Sequence, residues 1–152
     1  MRTDGSAHSA GDADAPFTIM SVAKPFVFAL VCDALGAEEV RHRVGVNATG
    51  LPFNSLAAIE QGSDGVTNPM VDPGAIATAG HVPGAEADEQ WALLLDGLSR
   101  FAGRRLAIDN GVYASASATN HRNMSMARLL HDYGRVAGDP DAVVDLYTRR
   151  AA

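Results

Sequence analysis

The sequence predicts an α+β domain that is mostly helical, and three observations lead to that prediction. The 152 residues are 47% hydrophobic and 20% charged, which is typical of one globular domain with a packed core. Apolar residues recur at helical spacing after residue 16, whereas the segment before it is small, polar and rich in turn formers. In that segment Asp4-Gly5 is a two-residue hairpin signal, so residues 1–15 are predicted to be the remnant of a β-hairpin.

Residues 16–152 are predicted to form a helical subdomain. A largely buried helix is expected from Ser21 to about Gly36, and Pro25 fits it only in the first turn, which places Ser21 at the helix N-terminus. Further helices are predicted over residues 37–43, 88–102, 122–135 and from 141 through the last residue. Residues 45–84 and 109–121 read as irregular, although a connection as long as the first indicates either a functional loop or unrecognised elements.

The charge balance and the apolar pattern exclude several classes of partner. A formal net charge of -6 argues against nucleic acid or an anionic membrane, which attract basic surfaces. No apolar stretch is long enough to span a bilayer, and the first residues do not resemble a signal peptide. The single cysteine, Cys32, cannot form an internal disulfide, which indicates a reducing compartment. A cytoplasmic protein is therefore predicted.

The five histidines do not predict a metal site. None of them shows the paired spacing of a zinc-binding helix, so loop or surface roles are expected. The glycines form no phosphate-binding fingerprint. We expect neither a metal nor an organic cofactor.

Ser21 and Lys24 are the candidate catalytic residues. Residues three apart on a helix share one face, so the Lys24 amine can reach the Ser21 hydroxyl. A serine hydroxyl is a poor nucleophile until a base removes its proton, and a lysine serves as that base only when its amine is neutral. The nearby Phe17, Phe26 and Phe28 are expected to supply apolar surroundings that favour this state. The alternative is a helix cap followed by a surface lysine.

Four ordered blocks extend the pattern beyond Ser-x-x-Lys. Residues 17–24 (FTIMSVAK) resemble the Phe-x-Ile-Gln-Ser-x-Ser-Lys signature of serine-dependent glutaminases. Residues 44–55 (VGVNATGLPFNS) and 68–76 (NPMVDPGAI) resemble two further blocks of that family, at similar spacing. The pair Arg122-Asn123, followed by residues 145–147 (DLY), resembles the fourth.

The resemblance implies a β-lactamase-like or penicillin-binding-like fold, with mostly its helical part and an incomplete antiparallel sheet. It also implies hydrolysis of L-glutamine to L-glutamate and ammonia through an acyl-enzyme, with Ser21 as nucleophile and Lys24 as base. Asp72, Asn123 and Tyr147 fall at substrate-binding positions of the family. A homo-oligomer is expected by the same likeness.

Several positions depart from the family pattern. Asp72 stands where the family has Asn, and Ala116 stands where it has a Glu that pairs with the substrate ammonium. Met20 replaces the Gln that precedes the nucleophile. An upstream Tyr-Ile-Pro block and a downstream Lys-Ser-Gly block are not present, so the sequence predicts a domain truncated at both ends.

Two alternatives to glutaminase activity remain open. The departures at Asp72 and Ala116 are compatible with a catalytically inactive chain that acts as an interaction or binding module. A Ser-x-x-Lys hydrolase acting on a β-lactam or a peptidoglycan peptide is the third reading, although Ser-x-Asn and Lys-Thr-Gly blocks are lacking.

Overall fold

The computed structural model describes residues 2–152, and within them the backbone forms eight α-helices. They are α1 (Ala23–Leu35), α2 (Ala37–Val44), α3 (Ala57–Gln61), α4 (Asp72–Ala79), α5 (Ala87–Ala102), α6 (Asn110–Ala118), α7 (His121–Asp132) and α8 (Pro140–Arg149). Two short 3-10 turns, Met20–Val22 and Ser63–Gly65, precede α1 and follow α3.

Helix α4 lies at the centre of the fold, and all eight of its residues are buried. It packs against α1, α2, α7 and α8. Most of its residues are Gly, Ala or Thr, so neighbouring helices can approach it from every side. The largest fully buried side chains of the surrounding helices complete the core: Val27, Val31, Val40, Val44, Leu94, Met126, Leu130 and Val144.

Gly74 allows the first turn of α4 to touch the loop that precedes it. A Cβ atom at this position would lie 1.9 Å from the Asn68 carbonyl oxygen and 2.9 Å from Thr67 Oγ1. No side chain fits such a distance. The close approach fixes the start of α4, and with it the side chain of Asp72.

The predicted α+β class is wrong for the part of the chain described. Residues 2–152 contain no β-strand, and the structure is helical with turns and loops. The predicted hairpin remnant over residues 1–15 is only a turn, in which the Arg2 N–H donates to the Ser6 carbonyl at 2.8 Å. Its first residue, Met1, lies outside the described residues. Residues 2–17 are all exposed and lack alternating apolar positions, so no strand face is buried there.

The helical predictions over 37–43, 88–102 and 122–135 are confirmed by α2, α5 and α7. The helix predicted from residue 141 is α8, but it ends at Arg149 rather than continuing through the last residue. The irregular structure predicted over 109–121 is wrong, because α6 forms there after Asp109 accepts hydrogen bonds from the Gly111 and Val112 N–H groups. The long connection over 45–84 likewise contains α3 and α4.

Within residues 2–152, no helix combines the length and the apolar composition that crossing a bilayer requires.

Candidate active site

Ser21 lies in the 3-10 turn that leads directly into α1. Pro25 is the third residue of that helix, where its missing N–H breaks no helical bond, as the sequence predicts. The residue before the serine, Met20, has a φ of +48°, a left-handed conformation that costs a non-glycine residue about 1–2 kcal/mol. Its N–H donates to the Ala151 carbonyl at 3.0 Å. The turn that carries Ser21 is therefore fixed against the segment that follows α8.

Lys24 is buried, with 5% of the residue exposed. Its Nζ donates to Asp72 Oδ1 at 2.6 Å and to the Met70 carbonyl at 3.2 Å. The Phe53 ring also lies near Nζ, with its centroid 5.7 Å away. The predicted apolar wall is wrong for Phe17, whose residue is 91% exposed.

The other two predicted phenylalanines lie on α1 itself. Phe26 and Phe28 are partly buried against the core, and the Phe26 ring packs on Phe101 with centroids 5.0 Å apart. The loop after α2, rather than these side chains, brings an aromatic ring to Lys24.

Asp72 joins the candidate residues to one another. Its Oδ1 accepts the Lys24 hydrogen bond and also a hydrogen bond of 2.9 Å from the Tyr147 hydroxyl. Its own N–H donates to the Phe53 carbonyl at 2.7 Å. Because the Tyr147 proton points to Asp72, the phenol oxygen keeps lone pairs that can accept a hydrogen bond from a ligand.

Tyr147, on α8, is a neutral phenol in this environment. Burial raises the pKa of Tyr147 above its usual range, and the Asp72 carboxylate raises it further. Arg150, in the turn after α8, opposes that shift, and its Cζ lies 4.1 Å from the Tyr147 ring centroid. Burial also lowers the pKa of Arg150, although an arginine retains its charge.

Four of the five predicted site residues line one cavity of about 190 Å³: Ser21, Asp72, Asn123 and Tyr147. Lys24 is not part of the wall and sits beside Asp72. The rest of the wall is formed by Met20, Phe53, Val112, Ala116, Thr148, Arg150, Ala151 and Ala152. A cavity of this size suits a small metabolite rather than a polymer.

The structure does not join Ser21 and Lys24 directly. Among the hydrogen bonds of residues 2–152, none links the two side chains, and Nζ is occupied by Asp72 and Met70. The arrangement could support nucleophilic attack by the exposed serine if the Lys24 amine gives up its proton.

A second concave surface contains none of the predicted site residues. A larger groove of about 470 Å³ is lined by charged and polar side chains, including Arg41, Asp64 and Arg135, and by none of the five. Across residues 2–152, no three His, Cys, Asp or Glu side chains lie close enough to bind a metal ion together.

Phe53 and Arg150 were not singled out by the sequence. Phe53 lies in a loop whose path cannot be read from periodicity. Arg150 could have been predicted from the sequence. It lies three residues after Tyr147, which at helical spacing places both side chains on the same face.

Comparison with known proteins identifies the family. The glutaminase family model matches residues 1–152. Glutaminase 2 of Yersinia pestis is 59% identical over 150 residues, which cover 99% of this chain and 44% of that protein. Glutaminase of Brucella abortus (strain S19) is 44% identical over 152 residues, covering 100% of this chain and 48% of that protein. The chain thus spans about half the length of these relatives.

Solved structures agree with the sequence matches. The structure described as probable glutaminase ybaS has a TM-score of 0.91 at 34% identity, covering 98% of this chain and 48% of that one. The structure of Mglu in its L-glutamate binding form has a TM-score of 0.85 at 34% identity, covering 94% of this chain and 32% of that one. Since the family model matches the entire sequence, this chain belongs to the glutaminase family.

Proposed function

We propose that this chain hydrolyses the side-chain amide of L-glutamine, giving L-glutamate and ammonia. One observation carries the proposal: Ser21 lines a small cavity together with Asn123 and Tyr147, whose carboxamide and phenol suit an amino-acid head group. Family membership supports it, because the matching relatives are described as glutaminases. One similar structure is described as an L-glutamate binding form.

In the proposed mechanism, Ser21 Oγ attacks the amide carbon of the substrate and loses its proton to the Lys24 amine. The proton passes to the amide nitrogen, the C–N bond breaks, and ammonia leaves an acyl ester on Ser21. Water then attacks the ester carbon, its proton returns through Lys24, and L-glutamate departs with Ser21 restored. No redox step is involved.

This mechanism requires a neutral Lys24 amine before attack. Nζ is engaged by the Asp72 carboxylate at 2.6 Å, so this contact has to loosen before the amine can accept the serine proton. We expect slow turnover for that reason. The same carboxylate stabilises the buried lysine, so a substitution of Asp72 should change both catalysis and the stability of the fold.

The test is ammonia release from L-glutamine by this chain and by two variants. Ser21→Ala should lower kcat/KM by about a thousandfold or more, because the nucleophile is removed. Ser125→Ala is the matched control, since Ser125 is exposed on α7, bonds only the His121 carbonyl, and lies outside the cavity. Equal ammonia release by the Ser21→Ala variant and the unchanged chain would contradict the assignment of Ser21 as the nucleophile.

A second candidate function is ligand binding without turnover. The Lys24–Asp72 ion pair and the missing contact between Ser21 and Lys24 favour it. In that case L-glutamine binds, no ammonia appears, and an electrophilic acylating probe leaves Ser21 unlabelled. Labelling of Ser21 accompanied by ammonia release would exclude it.

We propose in addition that the chain works in the cytoplasm and as a homo-oligomer. The single cysteine, Cys32, is a free thiol, which supports a reducing compartment. The exposed Phe17 and Val22, at 91% and 62%, offer apolar surface for association. Sedimentation of the purified chain tests the second point, and a purely monomeric species at high concentration would contradict it.

A further inference from the structure

Arg150 is a buried cation that forms no ion pair with any side chain of residues 2–152. Only 2% of the residue is exposed, and its Nε and Nη1 have no hydrogen-bond partner within residues 2–152. The Tyr147 ring lies against the guanidinium group, which leaves donors at the edge of its plane unsatisfied. Burying an unpaired charge is unfavourable, and an anionic group on a bound ligand would relieve that cost.

The neighbouring Arg149 differs in having an anion beside it, although its Nε, like that of Arg150, makes no hydrogen bond of good geometry within residues 2–152. Its Nε lies 2.7 Å from Asp145 Oδ2, and it is not part of the cavity wall. Arg150 is part of that wall, beside Tyr147. The two adjacent residues therefore differ in whether the protein itself supplies an anion.

While Lys24 is protonated, the charged side chains at the cavity leave an excess of one positive charge. Among the side chains of the wall, only Asp72 and Arg150 are charged. Asp72 is already neutralised by Lys24 at 2.6 Å, and its Oδ1 also accepts the Tyr147 proton. One anionic group on a bound ligand would balance Arg150.

The same wall offers little to a ligand ammonium. Ala116, on α6, presents only a methyl group to the cavity, and the one side-chain carboxylate of the wall, Asp72, already accepts from Lys24 and Tyr147 through its Oδ1. An ammonium placed here would lie near the Arg150 guanidinium and could bond only to acceptors that the site shares with Lys24 and Tyr147, namely Asp72 Oδ2 and the Tyr147 oxygen. The site thus offers a cation to a ligand carboxylate and no carboxylate reserved for an α-amino group.

Building on the proposed function, we infer that Arg150 anchors the substrate carboxylate and that the site accepts ω-monoamides of dicarboxylic acids that lack an α-ammonium. The simplest such substrate is glutaramate, the monoamide of glutaric acid. Ser21 attack breaks its C–N bond, releases ammonia and leaves a glutaryl ester, which water converts to glutarate. The atoms balance as they do for glutamine.

The experiment measures binding separately from turnover. Calorimetry with the Ser21→Ala chain compares glutaramate, L-glutamine and glutaramide, the neutral diamide that has the same shape but no carboxylate. Glutaramate should bind at least as tightly as L-glutamine, and at least tenfold more tightly than glutaramide. Adding Arg150→Gln should weaken glutaramate at least tenfold and leave glutaramide unchanged, whereas Arg149→Gln, the matched control, should change neither.

Folding is checked by the thermal midpoint without ligand, which Arg150→Gln should leave unchanged or raise, because an unpaired buried charge is removed. Arg150→Lys, which keeps the charge, should recover part of the glutaramate affinity. Equal binding of glutaramate and glutaramide would overturn the inference, as would undetectable binding of both or a preference unchanged by Arg150→Gln.

The failure of this inference and that of the proposed function can be distinguished. If the unsubstituted chain releases ammonia but its ligand preference does not depend on Arg150, the carboxylate-binding role of Arg150 is rejected and the amide hydrolysis stands. If glutaramate binding depends on Arg150 but neither glutaramate nor L-glutamine yields ammonia, the role of Arg150 in binding stands and the proposed hydrolysis is rejected.

Discussion

At the scale of single residues, the contact between Lys24 and Asp72 decides how the site can work. The two side chains are 4% and 12% exposed, so the pair is screened little by water. Removing one partner from such a pair leaves the other charge buried and uncompensated.

We therefore predict opposite effects of Asp72→Asn on stability and on catalysis. The amide can still accept hydrogen bonds from Lys24 and Tyr147, so the free energy of unfolding should fall by about 1–3 kcal/mol rather than the full cost of breaking a buried ion pair. Because a carboxylate no longer holds the Lys24 amine in an ion pair, kcat/KM for L-glutamine at neutral pH should rise roughly tenfold. Urea unfolding and ammonia release measure the two effects.

The matched control is Asp96→Asn. Asp96 forms an exposed pair with Arg100, with Nε 3.2 Å from Oδ2, so neither stability nor activity should change measurably. A fall in kcat/KM for Asp72→Asn, with its stability unaffected, would show that Asp72 assists the reaction instead of opposing it.

Sequence reasoning places four of its five predicted site residues in the cavity wall but does not show how they contact one another. One cavity is lined by Ser21, Asp72, Asn123 and Tyr147, although more than a hundred residues of chain separate the first from the last. The Lys24–Asp72 ion pair follows from the packing of α1 against α4, which no local pattern encodes. The roles of these residues in binding and catalysis stay predictions.

At the scale of elements, the start of α4 depends on how closely it approaches the preceding loop. The Asp72 side chain is placed by the first turn of this helix, and Gly74 lies in that turn. A methyl group there would meet rigid backbone, the Asn68 carbonyl oxygen and carbon at 1.9 and 2.4 Å. Relief would require the helix or the loop to move, and either movement displaces Asp72.

Gly74→Ala should therefore lower the free energy of unfolding by about 3 kcal/mol, the upper end of what overpacking usually costs. Gly80→Ala, at the other end of α4, is the matched control: its φ is -65°, and the nearest atom to a new Cβ is 3.4 Å away, an ordinary contact. Its stability should stay within about 1 kcal/mol of the original. Denaturant midpoints give both values, and equal midpoints for the two variants would contradict the steric account.

The elements differ in how readily the sequence predicts them. Helices α2, α5 and α7 have one apolar face, so apolar spacing locates them. Helix α4 is buried on every side and built of small residues, which leaves no amphipathic period to detect. Helix α6 has no buried residue, so the Asp109 cap at its start is the only sequence signal that predicts it.

At the scale of the whole molecule, the cavity exists only when distant parts of the chain are packed together. Its wall draws on the turn before α1, the start of α4, α6, α7 and α8. The backbone hydrogen bond from Met20 to Ala151 joins two segments from nearly opposite ends of the sequence. The fold class was predicted wrongly at this scale, because family likeness implied a sheet that residues 2–152 do not contain.

A ligand that binds such a composite cavity should stabilise the entire fold. We predict that L-glutamate at a hundred times its dissociation constant adds about 2.7 kcal/mol to the free energy of unfolding. For a domain of this length the thermal midpoint should then rise by roughly 5–11 °C. Differential scanning calorimetry measures it, and the Asn123→Ala variant should show a smaller rise because Asn123 lines the cavity. Should L-glutamate leave the midpoint of the unchanged chain where it was, the cavity is not a binding site for the amino acid, and the residues around it serve the fold alone.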